Sequence, residues 1–213
     1  MPAAPSPRAL LEEGLEGLGL ALASADRDRL LQYLELLRKW NRVYNLTAVR
    51  TVPEMVTRHL LDALAVLPHV QGARVLDVGT GAGLPGIPLA VVSPDRRFTL
   101  LDASAKKIRF VTQAAAELHL ANVTPVHRRV EDFRPPQPFD TVIARAFSAL
   151  AQLTSSAGPL CRSGGRILAM KGAYPAGELA DLPPGYAVAD VVPLHVPGLD
   201  AQRHLVVVVP DGR

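Results

Sequence analysis

The sequence predicts an open, doubly wound α/β sheet, mainly parallel, with an antiparallel C-terminal strand and an N-terminal helical extension. Three observations predict it. From Leu10 to Leu67 apolar side chains recur at three- and four-residue intervals, the period of a helix packed on one face. After Gly72 short apolar runs alternate with helical stretches, the pattern of a parallel sheet covered by helices on both faces. At the C-terminal end two apolar runs follow one another with no helical pattern between them, which suits antiparallel neighbours.

The elements follow in order. The 213 residues suit one domain with an appendage, divided as a helical extension over 1–71 and a sheet domain over 72–213. Residues 1–9, rich in proline and alanine, read as a frayed end. Leu30, Leu34, Leu37, Trp40 and Tyr44 form one helical stripe, which makes Trp40 a core residue. Met55, His59 or Leu60, Ala63 or Leu64, and Leu67 form a second. Pro53 falls in a first turn, where its missing N–H costs nothing, and Pro68 and Gly72 punctuate the exit. Strand-like RVLDV, FTLLD, VTPVH, FDTVIAR and RILAMK then alternate with helical GIPLAVV, AKKIRFVTQAAAELHL and LAQLTSSAGPL. YAVADVVPLHV and HLVVVV close the chain as two strands.

Composition excludes several classes. At 48% hydrophobic and 20% charged residues the chain is ordinary for a soluble domain. No apolar stretch approaches the ~20 residues that span a bilayer. Glu12, Glu13 and Glu16 interrupt any signal-peptide block, so a cytoplasmic protein is expected. A single cysteine, Cys161, excludes an internal disulfide, and no Cys/His cluster has zinc spacing, so no metal is expected. No amphipathic stripe is left over once the helices cover the sheet, which makes a monomer the expectation.

Charge is unevenly placed. Between Leu101 and Pro175 ten Lys or Arg face five acids, so within a formal +3 the rest of the chain carries −2. Two readings stand side by side: solvated helix faces, or a basic surface meeting a polyanion such as nucleic acid.

The stretch VLDVGTGAGLPG, residues 75–86, places four glycines in eight positions directly after an apolar run. Such a turn bends tightly and leaves no side chain between backbone and ligand. It satisfies the dinucleotide pattern G-x-G-x-x-G through Gly81, Gly83 and Gly86, and a turn needed only for packing also accounts for it. Asp102, which closes FTLLD, is placed to accept hydrogen bonds from ribose hydroxyls of either a dinucleotide or an adenosyl ligand. Asp77 discriminates. A carboxylate aimed at the loop opposes a pyrophosphate and suits the sulfonium and ammonium of S-adenosylmethionine, directly or through water.

The chain resembles the GidB-type (RsmG) methyltransferases. The resemblance rests on WNRVYNLTAVR (40–50), RHLLDA (58–63), DVGTGAGLPGIPLA (77–90) and FTLLDASAKKIRF (98–110). RVEDF (129–133), ARAF (144–147), MKG (170–172) and LDAQRHLVVV (199–208) extend it over nearly everything from 30 to 209. It implies the class I, Rossmann-like methyltransferase fold, S-adenosylmethionine as cofactor, and 16S ribosomal RNA or the small ribosomal subunit as partner. It further implies transfer of a methyl group to nitrogen-7 of one guanine in the decoding-region loop. By the same resemblance Gly79 and Leu84 line the cofactor pocket, Val130 and Glu131 frame adenine, and Arg145 reaches the cofactor or the target base; Gly81 and Gly83 of the glycine loop are read as cofactor contacts as well.

Nitrogen-7 carries an in-plane lone pair, so no general base is expected and Arg145 is read as an orienting donor to the guanine carbonyl. His59, His127 and His204 are not needed as proton carriers. Lys171, closing RILAMK, reads as a contact to RNA phosphate or to the guanine carbonyl. Further RNA candidates are Lys39, Arg42, Arg58, Lys106, Lys107, Arg109, Arg128, Arg129, Arg203 and His204, with Trp40 or Tyr44 as weaker stacking candidates. Two rival classes remain in view: a nicotinamide-dependent oxidoreductase, and an RNA-binding module without catalysis.

Overall fold

The computed structural model describes residues 5–145, 147 and 149–211; the first four residues of the expected frayed end and Ala146 of ARAF lie outside them. A seven-stranded sheet has the order β3-β2-β1-β4-β5-β7-β6, with β1 Arg74–Val78, β2 Arg97–Asp102, β3 Val123–His127, β4 Phe139–Arg145, β5 Cys161–Lys171, β6 Tyr186–Pro193 and β7 His204–Pro210. The first five strands pair in parallel. Strand β7 pairs antiparallel with β5 and with β6, so it alone runs against the others, as the C-terminal pattern predicts.

Alternate strand residues go to two cores, because successive side chains of a strand leave opposite faces. Val75, Ile143, Leu168 and Leu205 join one cluster with Leu34, Leu60, Ile87 and Phe110. Leu76, Val142, Ile167 and Val206 join the other with Leu150, Leu153 and Ala157. The first face is therefore covered by α1 Pro7–Gly17, α2 Ser24–Tyr44, α5 Gly86–Val91 and α6 Ala105–Glu117, and the second by α7 Leu150–Ala157. Each buried leucine contributes about 1.5–3 kcal/mol by leaving water. The helices before residue 72 share their core with the sheet.

One expectation needs correcting at the N-terminus. Residues 7–9 are not frayed: they open α1, with Pro7 at its start and Ser6 Oγ accepting from Ala9 N at 3.2 Å. A capping hydroxyl together with a pre-set proline outweighs the bias of the composition. The helical pattern from Leu10 to Leu67 divides at 18–23 and at 45–51, the second break coming just before the first-turn Pro53. Asn45 ends α2 in the left-handed region, at φ 48°, a conformation asparagine tolerates better than most residues. Trp40 packs against the core as expected, its ring centre 5.6 Å from that of Phe110.

The next helix starts at α3 Val52–Met55, capped by Thr51 and with Pro53 in its first turn. It widens into a π-helical segment, Val56–Leu61, and ends in α4 Asp62–Leu64. The wide turn presents Arg58, which is exposed, and His59, which is buried. Among the described residues no helix is long and apolar enough to cross a membrane.

Candidate active site

The site lies where strand order reverses, between β1 and β4, at the carboxyl ends of the parallel strands. Val78 pairs with Ala144, so Gly79, the first residue past β1, stands beside Arg145, the last residue of β4, which still pairs with Met170. Chain direction at this point comes from the glycines. Gly79 adopts φ 68°, a region where a side chain is strained, and its backbone is exposed to the cavity above.

Asp77 holds the loop from beneath. The sequence suggests a carboxylate facing a ligand, whereas the structure buries this one completely. Its Oδ2 accepts from Thr80 Oγ1 at 2.6 Å and from Gly86 N at 2.9 Å, tying both ends of the glycine loop to one oxygen. Burial pushes its pKa up to about 6 despite these hydrogen bonds. Oδ1 meets no donor among the described residues, and a buried acceptor of this kind suits a ligand donor or a water. Three further contacts fasten the loop: Gly79 N and Thr80 N donate to Leu101 O, and Tyr33 Oη donates to Ala82 O at 2.7 Å. Gly83 and Leu84, expected to line the pocket, are buried in this packing; Leu84 is 1% exposed and belongs to the core.

Asp102 ends β2 beside the loop. Its Oδ2 accepts from Gly81 N at 2.9 Å and lies 3.5 Å from Lys107 Nζ, and its Oδ1 accepts from Ser104 N at 2.8 Å. The carboxylate thus braces the loop while standing in a cavity of about 300 Å³. Gly79, Asp102, Val130 and Glu131, four of the predicted cofactor residues, line that cavity together with Leu101, Arg128 and Phe147. Arg128, read from the sequence as an RNA contact, belongs to this wall. Larger hollows of about 560 and 670 Å³ lie elsewhere; the second shares Val130 and Glu131 but is otherwise walled mainly by prolines and serines.

A second cavity, of about 410 Å³, gathers Arg58, Arg145, Lys171 and Arg203 from four segments distant in sequence, with His59, Asp62 and Gly172. Asp62, which sequence reasoning passed over, organises it. One oxygen lies 2.8 Å from Arg203 Nε and the other 3.5 Å from Arg145 Nη1. Arg145 also reaches Arg58 O at 3.4 Å. The signal for Asp62 was its place in RHLLDA, four residues after Arg58 and hence on the same helical side.

His59 is held in one role. Its Nδ1 is 2.9 Å from Arg58 O, which fixes the proton there, so Nε2 accepts from Thr47 Oγ1 at 2.9 Å. Burial, then the Arg145 charge, lowers its pKa to about 4. Thr47 sits in the YNLT turn, which Asn41 closes by accepting from Thr47 N and donating to Thr47 O and Val49 O. The turn thereby supports Val49 and His59, which line the second cavity.

Lys171 is committed within the protein. Its Nζ donates to Phe147 O at 3.1 Å and pairs with Glu178 at 2.8 Å, and Glu178 in turn accepts from Leu150 N at the start of α7. Its position on the cavity wall agrees with the sequence reading, but its charge is already answered. His204 lies next to Arg203 with Nδ1 3.0 Å from Gly172 O. Lys106 and Arg109 stand exposed on α6, away from both cavities, with Lys106 Nζ donating to Tyr44 O at 3.0 Å.

Comparison with known proteins decides between the readings. The family model for GidB, described as rRNA small subunit methyltransferase G, matches residues 26–206. The chain belongs to the GidB family. It is a methyltransferase, and the oxidoreductase reading of the glycine loop falls away. A GidB relative from Methylococcus capsulatus, named ribosomal RNA small subunit methyltransferase G, is 55% identical over 204 residues, which is 96% of this chain and 99% of that one. A relative of the same name from Aromatoleum aromaticum is 53% identical, covering 93% and 97% of the two chains. Among solved structures, the glycopeptide N-methyltransferase MtfA complexed with S-adenosyl-L-homocysteine superposes with a TM-score of 0.61 at 15% identity, over 71% of this chain and 87% of that one. TrmN from Thermus thermophilus superposes at 0.58 with 20% identity, over 73% and 53%. The GidB chain thus has the class I methyltransferase fold that the sequence predicts.

Proposed function

We propose that this chain transfers a methyl group from S-adenosylmethionine to nitrogen-7 of a guanine in the decoding-region loop of 16S ribosomal RNA. The observation that carries the proposal is the pair of cavities flanking the β1–β4 junction. One offers the exposed backbone of Gly79 with the carboxylates of Asp102 and Glu131 among basic neighbours, and the other an arginine-lined wall. The names of the GidB relatives support ribosomal RNA as the substrate class, and a cytoplasmic location goes with that substrate.

The first cavity fits the cofactor. Asp102 offers carboxylate oxygens for ribose hydroxyls, Val130 an apolar surface for adenine, and Gly79 a backbone that nothing shields. The orphaned Oδ1 of Asp77 fits a ligand that carries an ammonium donor. S-adenosylmethionine bound there supplies an electrophilic methyl group on sulfur.

The chain's own residues then do the positioning. Arg145, with Asp62 holding it, presents guanidinium donors that suit the carbonyl of guanine. Arg58 and Arg203 supply charge for phosphates, with a salt-dependent contribution. Nitrogen-7 attacks through its lone pair without losing a proton, so no residue needs to act as base, and neutral His59 keeps an extra cation away from the positive charge that develops on guanine. Orientation of two bound reactants supplies up to about 7–11 kcal/mol of barrier reduction. The base must leave its stack to enter, at a cost of a few kcal/mol that phosphate and stacking contacts offset.

The test is transfer of labelled methyl from S-adenosylmethionine to small-subunit RNA from cells lacking this gene, followed by cleavage specific for 7-methylguanine. A single cleavage in the decoding-region loop is the expected result. Label at another position sinks the proposed site while leaving a methyltransferase. Binding of RNA with no transfer would favour the non-catalytic module.

A further inference from the structure

Among the described residues three large apolar side chains stand exposed: Val43, Tyr44 and Tyr174. Tyr44 has its ring against Trp40, with centres 5.2 Å apart, and is the less exposed tyrosine. Tyr174 is different. It is 53% exposed and follows by two residues Gly172, which lines the arginine-rich cavity. Its ring meets His204 edge to face, with centres 5.6 Å apart and planes at 82°. His204 is itself anchored on Gly172 O and follows Arg203, another residue of the cavity wall.

This geometry holds an exposed aromatic ring against His204, which is bonded to Gly172 in the wall of a cationic cavity. The T-shaped contact is a favoured arrangement of two rings and steadies Tyr174 in one orientation. A base stacking on it therefore meets a ring already partly ordered. Cations that reach phosphates, next to an aromatic face open to solvent, make the combination that binds single-stranded nucleic acid.

We propose that Tyr174, braced by His204, is a stacking ledge for an unpaired nucleotide of the RNA substrate, next to the nucleotide that enters the Arg145 cavity. The inference rests on the RNA-methyltransferase reading above and adds to it a residue that binds substrate without touching the reacting atoms.

The experiment uses the full chain, unmodified small-subunit RNA and a series of salt concentrations. Tyr174→Ala should raise KM for RNA roughly 5- to 150-fold, the range for loss of one stacked base, with kcat within about twofold. Affinity for S-adenosylmethionine should not change. The slope of log affinity against log salt should also stay as in the unsubstituted chain, because stacking releases no counterions. Arg58→Ala should make that slope shallower by about 0.7, the value for one phosphate on a single strand. Tyr174→Phe and Tyr174→Trp should restore KM. An unchanged KM for Tyr174→Ala overturns the ledge, and so does a Phe variant as impaired as the Ala variant. If the unsubstituted chain transfers no methyl group to this RNA, the functional reading itself fails, and the ledge loses the substrate on which it is argued.

Discussion

The carboxylate of Asp62 lies 2.8 Å from Nε of Arg203, a residue 141 positions later in the chain, and its second oxygen lies 3.5 Å from Arg145. Asp62 is 3% exposed, and a buried acid is tolerated when it is paired and hydrogen-bonded. One side chain thus joins the start of α4, the end of β4 and the turn before β7 at the wall of the second cavity.

Asp62→Asn should destabilise the fold by about 1–3 kcal/mol. That is less than the 3–5 kcal/mol typical of breaking a fully buried pair, because both arginines are partly exposed and screened. Urea unfolding measures it. With Arg145 released, kcat should fall along with the stability; full kcat in a folded variant would remove Asp62 from the positioning of Arg145.

Asp77 should make stability depend on pH in an unusual direction for an acid. Its folded pKa, about 6, lies above the ordinary 3.8, so the folded state holds the proton more tightly than the unfolded chain. Its contribution is complete below about pH 4 and is lost as pH rises through 6, a change on the order of 3 kcal/mol. Asp77→Asn should abolish this dependence and raise the melting temperature at pH 8 relative to the unsubstituted chain. A variant less stable at pH 8 would mean that the charged form is the better partner for Thr80 and Gly86.

His59 runs the other way. Its folded pKa of about 4 lies below the ordinary 6.5, so its stabilising contribution is present above pH 6.5 and is lost as pH falls towards 4. Because His59 stays neutral at working pH and nitrogen-7 needs no base, kcat should be flat between about pH 7 and 8.5. A bell-shaped profile centred in that window would require a proton-transfer group that the positioning mechanism lacks.

Asp102→Ala should abolish measurable S-adenosylmethionine binding by calorimetry while the chain remains folded. The variant also frees Gly81 N and Ser104 N, so it should lose about 1–2 kcal/mol of stability. Asp102→Asn, which keeps an acceptor, should bind more weakly without losing binding altogether. Retained affinity in the Ala variant would remove Asp102 from the cofactor site.

Gly86→Ala tests the seat of the glycine loop. A Cβ at this position would run into the Leu100 side chain and lie 2.7 Å from Asp77 Oδ2. Overpacking of this kind typically costs about 1–3 kcal/mol. Thermal unfolding should show the loss, and a neutral outcome would mean that α5 and β2 separate more easily than their packing implies.

Strand order along the chain, the helical stripes and the glycine loop were all legible, because each is a local signal of period two, period 3.6 or positive φ. Gly79, Asp102, Val130 and Glu131 meet in one cavity as the sequence reading requires. Gly83 and Leu84 matched the same motif and are buried in the packing of the loop, a placement that motif spacing does not reveal. Ser6 and Pro7 carried a helix start that the composition of the first nine residues obscured.

By itself the sequence determined the kind of sheet, the place of its switch point and the chemical family, since periodicity and motif spacing are properties of neighbouring residues. Only the tertiary structure decided that Asp77 is buried under its loop, that Lys171 is taken by Glu178, that Asp62 serves two arginines, and that Tyr174 stands open beside His204. Each of these depends on contacts between segments brought together by strand order and register. A charge or a ring acquires its role from what lies within a few ångströms, and separation along the chain does not record that distance.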